Sequence, residues 1–289
     1  MNRDTRTFDT AWLDAQYNNR ARVYDAAAQI ERWGKASALV REQSPARLDV
    51  AYGDGPGETL DIFLPEPGRQ PAPVLVFIHG GYWRSLDKSD HSFVAPAFIG
   101  NGATVVVPNY ALCPAVTVEH ITLQLVRALE WVWRHAAEFG GDPKRIAIVG
   151  HSAGGHAAAM LLSCRWKQVA TDLPDQILGG AMSLSGLYDL EPLRHTSFLQ
   201  PDLKLTPASV ARLSPAFFPR PRMPLYAVVG ADESEEFKRQ NALIRDVWGP
   251  TRVPVNETLP WSDHFSILTS LVDPAGRLHD LALRLLGLR

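Results

Sequence analysis

Arg145-Ile146-Ala147-Ile148-Val149-Gly150-His151-Ser152-Ala153-Gly154-Gly155-His156-Ala157-Ala158-Ala159 is the stretch on which the reading of this chain turns. An apolar run ends in a G-x-S-x-G pentapeptide, and small residues follow it. The implied order is strand, sharp turn, helix. Such a turn strains the serine backbone and needs glycine where neighbouring chain passes closely. A helix opening behind the serine aims free N–H groups and its positive dipole end at the reacting centre. Ser152 is therefore a candidate nucleophile.

On either side of this stretch lie further short apolar runs, 74–78, 103–107, 181–184 and 225–229, which read as strands buried on both faces. Helical patterns separate several of them, notably 117–139, and a last helix fits 275–287. Alternating buried strands and helices imply a mainly parallel sheet covered on both sides. Before these runs, residues 48–52 and 59–64 alternate apolar and polar around Gly53-Asp54-Gly55-Pro56-Gly57, the pattern of a half-exposed antiparallel hairpin. Residues 9–43 read as helical, with Gly34 as a break. The proline-rich excursion 186–223 reads as a cap over the site. With no internal repeat or linker, one domain spanning 1–289 is expected.

The chain has 289 residues, 46% of them hydrophobic and 21% charged, with a formal net charge of −2. Near-neutral charge gives no reason to expect nucleic acid or an anionic membrane as a partner. Two cysteines, Cys113 and Cys164, are too few for a disulfide-stapled secreted domain. The first residues, Met1-Asn2-Arg3-Asp4-Thr5-Arg6, lack an apolar signal core, and no stretch reaches the roughly 20 apolar residues of a membrane span. A cytoplasmic location is expected. Exposed apolar surface on the N-terminal helices would favour a homodimer.

A serine hydroxyl needs a base, and the base needs an orienting carboxylate. After the run 225–229 the chain reads Gly230-Ala231-Asp232-Glu233-Ser234, and either acid can orient a histidine. Trp261-Ser262-Asp263-His264-Phe265 follows the last apolar-alternating stretch. Among nine histidines, His264 stands out by its place between a strand and a helix. His195 and His279 read as structural or solvated, and His151 and His156 either line the pocket or pack at the start of the helix. His79-Gly80-Gly81-Tyr82-Trp83 follows the run 74–78. A Gly-Gly turn there leaves amides unshielded, and the N–H groups of Gly81, Tyr82 and Ala153 are the expected oxyanion hole. Asn109-Tyr110-Ala111-Leu112-Cys113-Pro114 is read as a supporting turn beneath it.

His79-Gly80-Gly81-Tyr82-Trp83 together with Gly150-His151-Ser152-Ala153-Gly154 resembles the arylformamidase (kynurenine formamidase) branch of the α/β-hydrolases, close to hormone-sensitive-lipase-type esterases. Ser185-Gly186-Leu187-Tyr188-Asp189, Glu233-Ser234-Glu235-Glu236-Phe237 and Asp263-His264-Phe265 extend the likeness over most of the chain, although this branch usually has Asp where Glu233 stands. The resemblance implies an α/β-hydrolase fold with a mostly parallel sheet of about eight strands flanked by helices. It also implies a triad of Ser152, Glu233 and His264, with Glu233 preferred to Asp232 because it falls three residues after Gly230. The implied substrate is an N-formyl aryl amide, with no metal or organic cofactor. Tyr17, Trp83, Tyr188 and Phe237 are the candidates for stacking on the aryl group. Two other readings fit the same residues: a carboxylesterase or amidase for small acyl groups, and a catalytically inactive binding protein on this fold.

Overall fold

The computed structural model of the chain describes residues 8–66 and 71–289. The polar residues Met1–Arg6 read above lie outside the described residues. Eight strands form one sheet: β1 Ala46–Ala51, β2 Thr59–Phe63, β3 Ala72–Ile78, β4 Thr104–Pro108, β5 Gly141–His151, β6 Gly180–Leu184, β7 Leu225–Gly230 and β8 Val255–Leu259. Their order is β1-β2-β4-β3-β5-β6-β7-β8. β1 and β2 form the expected antiparallel hairpin, β2 joins β4 antiparallel, and every other pairing is parallel.

Successive strand residues point to opposite faces, so each apolar run feeds two cores. Val74, Val76 and Ile78 of β3 join Ile146 and Ile148 of β5 on one face, against the helices Val118–His135 and Ala153–Leu162. Leu75 and Phe77 join Val105, Val107 and Val149 on the other, where Trp33 and the C-terminal helix Arg277–Leu285 cover them. This is why the central runs are continuously apolar rather than alternating.

The N-terminal region departs from the expectation. It forms three helices, Thr10–Tyr17, Asn19–Arg22 and Ala26–Gln43, and Gly34 lies inside the third rather than ending it. The breaks come at Asn18, whose side chain caps the Ala21 N–H, and over Val23–Asp25. Gly34 sits where the helix meets Asp90, whose carboxylate oxygen would lie 3.7 Å from an added Cβ. Three residues on, the Ser37 hydroxyl accepts from the Phe93 N–H at 3.0 Å. Packing therefore carries the helix past its weak point.

A buried ionic cluster fastens this helix to the sheet. Lys88 Nζ donates to Asp61 Oδ1 at 2.8 Å, Arg41 donates to the same carboxylate, and Asp49 closes the set through its N–H at 2.8 Å. The 186–223 excursion contains four short helical pieces, Pro192–His195, Gln200–Leu203, Pro207–Leu213 and Pro215–Phe217. No helix among the described residues is long and apolar enough to cross a membrane.

Candidate active site

Ser152 stands between β5 and the helix Ala153–Leu162 with φ 56° and ψ −115°, a conformation an L-residue adopts only under strain. Two contacts hold it there. Its N–H donates to Leu184 O at the end of β6 (2.8 Å), and its carbonyl accepts from the His156 N–H (3.0 Å). The flanking glycines are steric necessities. A Cβ on Gly150 would lie 2.0 Å from Gly154 O, and one on Gly154 would lie 1.9 Å from Ile78 O.

His264 Nε2 lies 3.0 Å from Ser152 Oγ, and its Nδ1 lies 2.6 Å from Glu233 Oε2. A carboxylate only accepts, so Nδ1 carries the proton and the Nε2 lone pair faces the serine hydroxyl. The other Glu233 oxygen accepts from the Gly230 N–H (2.8 Å) and from the Ser185 hydroxyl. Asp232 is exposed, while Glu233 is buried. The choice between the two acids is thus one of direction: the 230–233 turn aims the second inward. The base loop is built by Asp263, whose Oδ1 accepts from the N–H groups of Phe265 (2.7 Å) and Ser266 (2.9 Å). Gln29 of the N-terminal helix reaches the same carboxylate at 3.3 Å.

Gly81, Tyr82 and Trp83 all have positive φ (105°, 50° and 56°), which glycine adopts freely and which strains the two aromatic residues in the turn after β3. Ser85 folds over Gly81, whose added Cβ would meet Ser85 O at 2.1 Å. Tyr82 is anchored through its hydroxyl, which donates to Tyr17 O at 2.7 Å. Asn109 braces the loop from below, donating to Asp87 at 2.6 Å, and Cys113 N–H donates to Trp83 O at 2.7 Å. Among the described residues the N–H groups of Gly81 and Tyr82 have no acceptor, and Ala153 is the first residue of its helix. All three amides therefore remain available to a ligand oxygen.

His151, for which the sequence allows either pocket lining or packing, lines the cavity beside Ser152. Its ring lies 4.9 Å from that of His264, and its Nε2–H donates to the His264 carbonyl at 2.7 Å, tying the base loop to the nucleophile turn. Burial holds its pKa well below the ordinary value. His156 faces away from the cavity, donating through Nε2 to Leu213 O (2.7 Å) against the Trp83 ring. His195 stacks on Phe8, and His279 on Phe98.

A cavity of about 350 Å³ opens onto Ser152 and His264. Ile30, Trp33, Leu86 and Phe265 supply apolar wall, and Asn18, Arg20, Arg84 and Asp202 supply polar wall. None of the four aromatics expected to stack on a substrate is among its lining residues. Tyr17 and Tyr188 are fully buried and spend their hydroxyls on Glu236 (2.7 Å) and Ser183 (2.7 Å). Trp83 packs on His156, and Phe237 supports the His264 ring from below at 4.6 Å. Their correct assignment is core. Gly81, Tyr82, His151, Ser152, His264 and Phe265 line the cavity from within the motifs read above, whereas Asn18, Arg20, Ile30, Trp33, Phe198 and Asp202 come from segments that carry no motif. Among the described residues no group of three or more His, Cys, Asp or Glu is placed to hold a metal ion.

This sheet order, with a strained serine at the end of β5 and a histidine after β8, defines an α/β-hydrolase. Residues 60–176 match the BD-FAE family model. A kynurenine formamidase of Danio rerio is 32% identical over 267 residues, covering 90% of this chain and 88% of that protein. A carboxylesterase of Mycobacterium tuberculosis is 40% identical over 137 residues, covering 47% of this chain and 43% of that protein. The solved structure of a Silicibacter protein is 31% identical with a TM-score of 0.79, covering 92% of this chain and 97% of that one. The chain belongs to the kynurenine formamidase family of α/β-hydrolases, and it is a hydrolase.

Proposed function

We propose that the chain is a serine hydrolase that cleaves an N-formyl aryl amide, N-formylkynurenine first among candidates, to formate and the free aryl amine. The observation that carries this reading is the continuous hydrogen-bonded line from Ser152 Oγ through His264 to Glu233, opening onto one cavity. At about 350 Å³ that cavity is near the small end of ligand pockets, which run to roughly 1,000 Å³, and it suits a single aromatic ring.

His264 takes the Ser152 proton as Oγ attacks the formyl carbon. The oxyanion is met by the amides of Gly81, Tyr82 and Ala153. As the C–N bond breaks, His264 returns the proton to the leaving amine, and a formyl ester remains on Ser152. Water, deprotonated by His264, attacks that ester, and formate leaves as Oγ regains its proton. Glu233 stabilises the imidazolium in both halves.

Steady-state hydrolysis of N-formylkynurenine beside p-nitrophenyl acetate and butyrate tests this. The formyl amide is expected to have the highest kcat/KM, and Ser152→Ala to lose it by about 10⁴-fold or more. A metal-dependent activity that survives Ser152→Ala would overturn the mechanism. Turnover of the esters alone would favour the second reading, a carboxylesterase for small acyl groups, which the carboxylesterase likeness over 137 residues supports.

A further inference from the structure

The walls of the cavity divide by chemistry. Trp33 and Phe265 touch each other, with ring centroids 5.9 Å apart, and Trp33 meets His151 edge-on at 6.2 Å, so an aromatic face adjoins the nucleophile turn. The other lining group is charged. Arg84 donates to Asp202 at 2.6 Å and to Phe198 O at 2.6 Å, and it lies over the Phe198 ring at 5.5 Å. On the same cavity, Arg20 reaches Ser85 Oγ at 3.5 Å.

Both charges have spare capacity. Arg20 is exposed and forms no ion pair with any carboxylate among the described residues. The Arg84 contact uses Asp202 Oδ2, and Oδ1 accepts no hydrogen bond among the described residues. The Asp202 side chain is about one-third exposed, which leaves it open to the cavity. A guanidinium and a carboxylate, each with a free hydrogen-bonding edge, sit in one small cavity beside an aromatic face. That arrangement matches a ligand with an aryl ring, an anionic carboxylate and a cationic ammonium.

We propose that Arg20 and Asp202 form an amino-acid subsite, with Arg20 taking the α-carboxylate and Asp202 the α-ammonium of an aryl-bearing amino acid. The proposal rests on the formamidase reading above and names the part of the substrate that reading left unbound. Arg84 is the positioning residue: it neutralises one Asp202 oxygen and fixes the carboxylate, and it binds no part of the head itself. Asn18, close to Arg20 in sequence and on the same wall, supplies neutral polar lining.

Two measurements test this together. The first is the ratio of kcat/KM for N-formyl-L-kynurenine to that for formanilide, which has the formyl aryl amide and no amino-acid head. Arg20→Ala is expected to lower this ratio roughly 10- to 100-fold, mainly through KM, with partial recovery in Arg20→Lys. Asp202→Asn is expected to lower it about 10-fold. The second is inhibition of p-nitrophenyl acetate hydrolysis by L-kynurenine and by kynuramine, which lacks the carboxylate. Arg20→Ala is expected to raise the L-kynurenine inhibition constant about 10-fold or more relative to that of kynuramine.

If neither ratio moves in Arg20→Ala, the subsite is overturned even where N-formylkynurenine is a good substrate. If the chain fails to cleave N-formylkynurenine, yet L-kynurenine inhibits ester hydrolysis through Arg20, the formamidase reading falls and the subsite stands. Absence of inhibition by L-kynurenine in the unaltered protein also overturns the subsite.

Discussion

Four fully buried histidines make this fold acid-sensitive in a defined window. His79, His91, His151 and His156 each have a pKa below the ordinary value of 6.5, with burial as the main cause. For His91 it is pushed down to about 3, and for His156 to about 4. His91 Nε2 and His156 Nδ1 have no hydrogen-bond partner among the described residues, so a second proton on either ring would be a buried donor without an acceptor. In the unfolded chain each titrates near its ordinary value. The folded pKa is the lower one, so the unfolded state binds more protons, and stability falls as pH drops below about 6.5. At pH 5 each of these two histidines costs about 1.36 kcal/mol for each of roughly 1.5 pH units, about 2 kcal/mol, and together about 4 kcal/mol. His79 and His151 add to this with the same sign. A total stability of roughly 5–15 kcal/mol makes that a large fraction. The assay is urea unfolding at pH 7.5, 6.5, 5.5 and 5.0, with His156→Gln alongside, since glutamine can still donate to Leu213 O. The expected result is a loss of at least about 4 kcal/mol between pH 7.5 and 5, reduced by about 2 kcal/mol in the variant. A loss under about 1 kcal/mol over that range would refute the reasoning, because the depressed carboxylates lose their contribution only at lower pH.

Two further substitutions probe the scaffold of the site. Gly154→Ala places a methyl 1.9 Å from Ile78 O, a backbone atom that can move only with β3, so a cost of about 3 kcal/mol and loss of hydrolysis are expected from thermal unfolding and ester turnover. Lys88→Met leaves the fully buried Asp61 carboxylate with Arg41 and the Asp49 N–H, and denaturant unfolding should show a loss of about 3–5 kcal/mol, partly recovered when Asp61→Asn is added.

The sheet and the hydrogen-bonded line of Ser152, His264 and Glu233 are legible because each follows from local chain chemistry. Buried parallel strands must be apolar on both faces, and the G-x-S-x-G turn admits no Cβ at either glycine. The places of Glu233 and His264 after apolar runs mark them in the sequence, and the structure adds that Ser185 and the Gly230 N–H hold the Glu233 carboxylate. Aromatic character failed as a guide to the pocket, because a large apolar ring signals burial and carries no information on what it is buried against. Tyr17, Trp83, Tyr188 and Phe237 went to the core for that reason. Gly34 misled in the same way: its weak helix propensity is a local cost, outweighed by the packing of Trp33 and Ser37 on either side.

The chemistry and the cavity are built from different parts of the chain, and this has a consequence for substrate choice. Ser152, Glu233 and His264 follow the ends of β5, β7 and β8, and backbone bonds from Ser152 to Leu184, from Ser185 to Val228 and from Ala231 to Leu259 tie the ends of β5, β6, β7 and β8 in turn. The sheet therefore fixes their geometry whatever lies above it. Much of the cavity wall comes instead from residues 18–33, 84–86 and 198–202, which lie outside the strands of the sheet. These walls are held by their own ties: Arg84 to Asp202, Tyr82 to Tyr17, and Gln29 to Asp263. Changes confined to these segments alter which leaving group fits while the hydrogen-bonded line through His264 stays in place. This fits a fold whose relatives carry the names kynurenine formamidase and carboxylesterase alike. Of the three ties, Gln29 to Asp263 joins the N-terminal helix to the loop that carries His264, and Tyr82 to Tyr17 joins the N-terminal region to the turn after β3, so these two are where a change in the walls reaches the triad and the Gly81–Tyr82 amides.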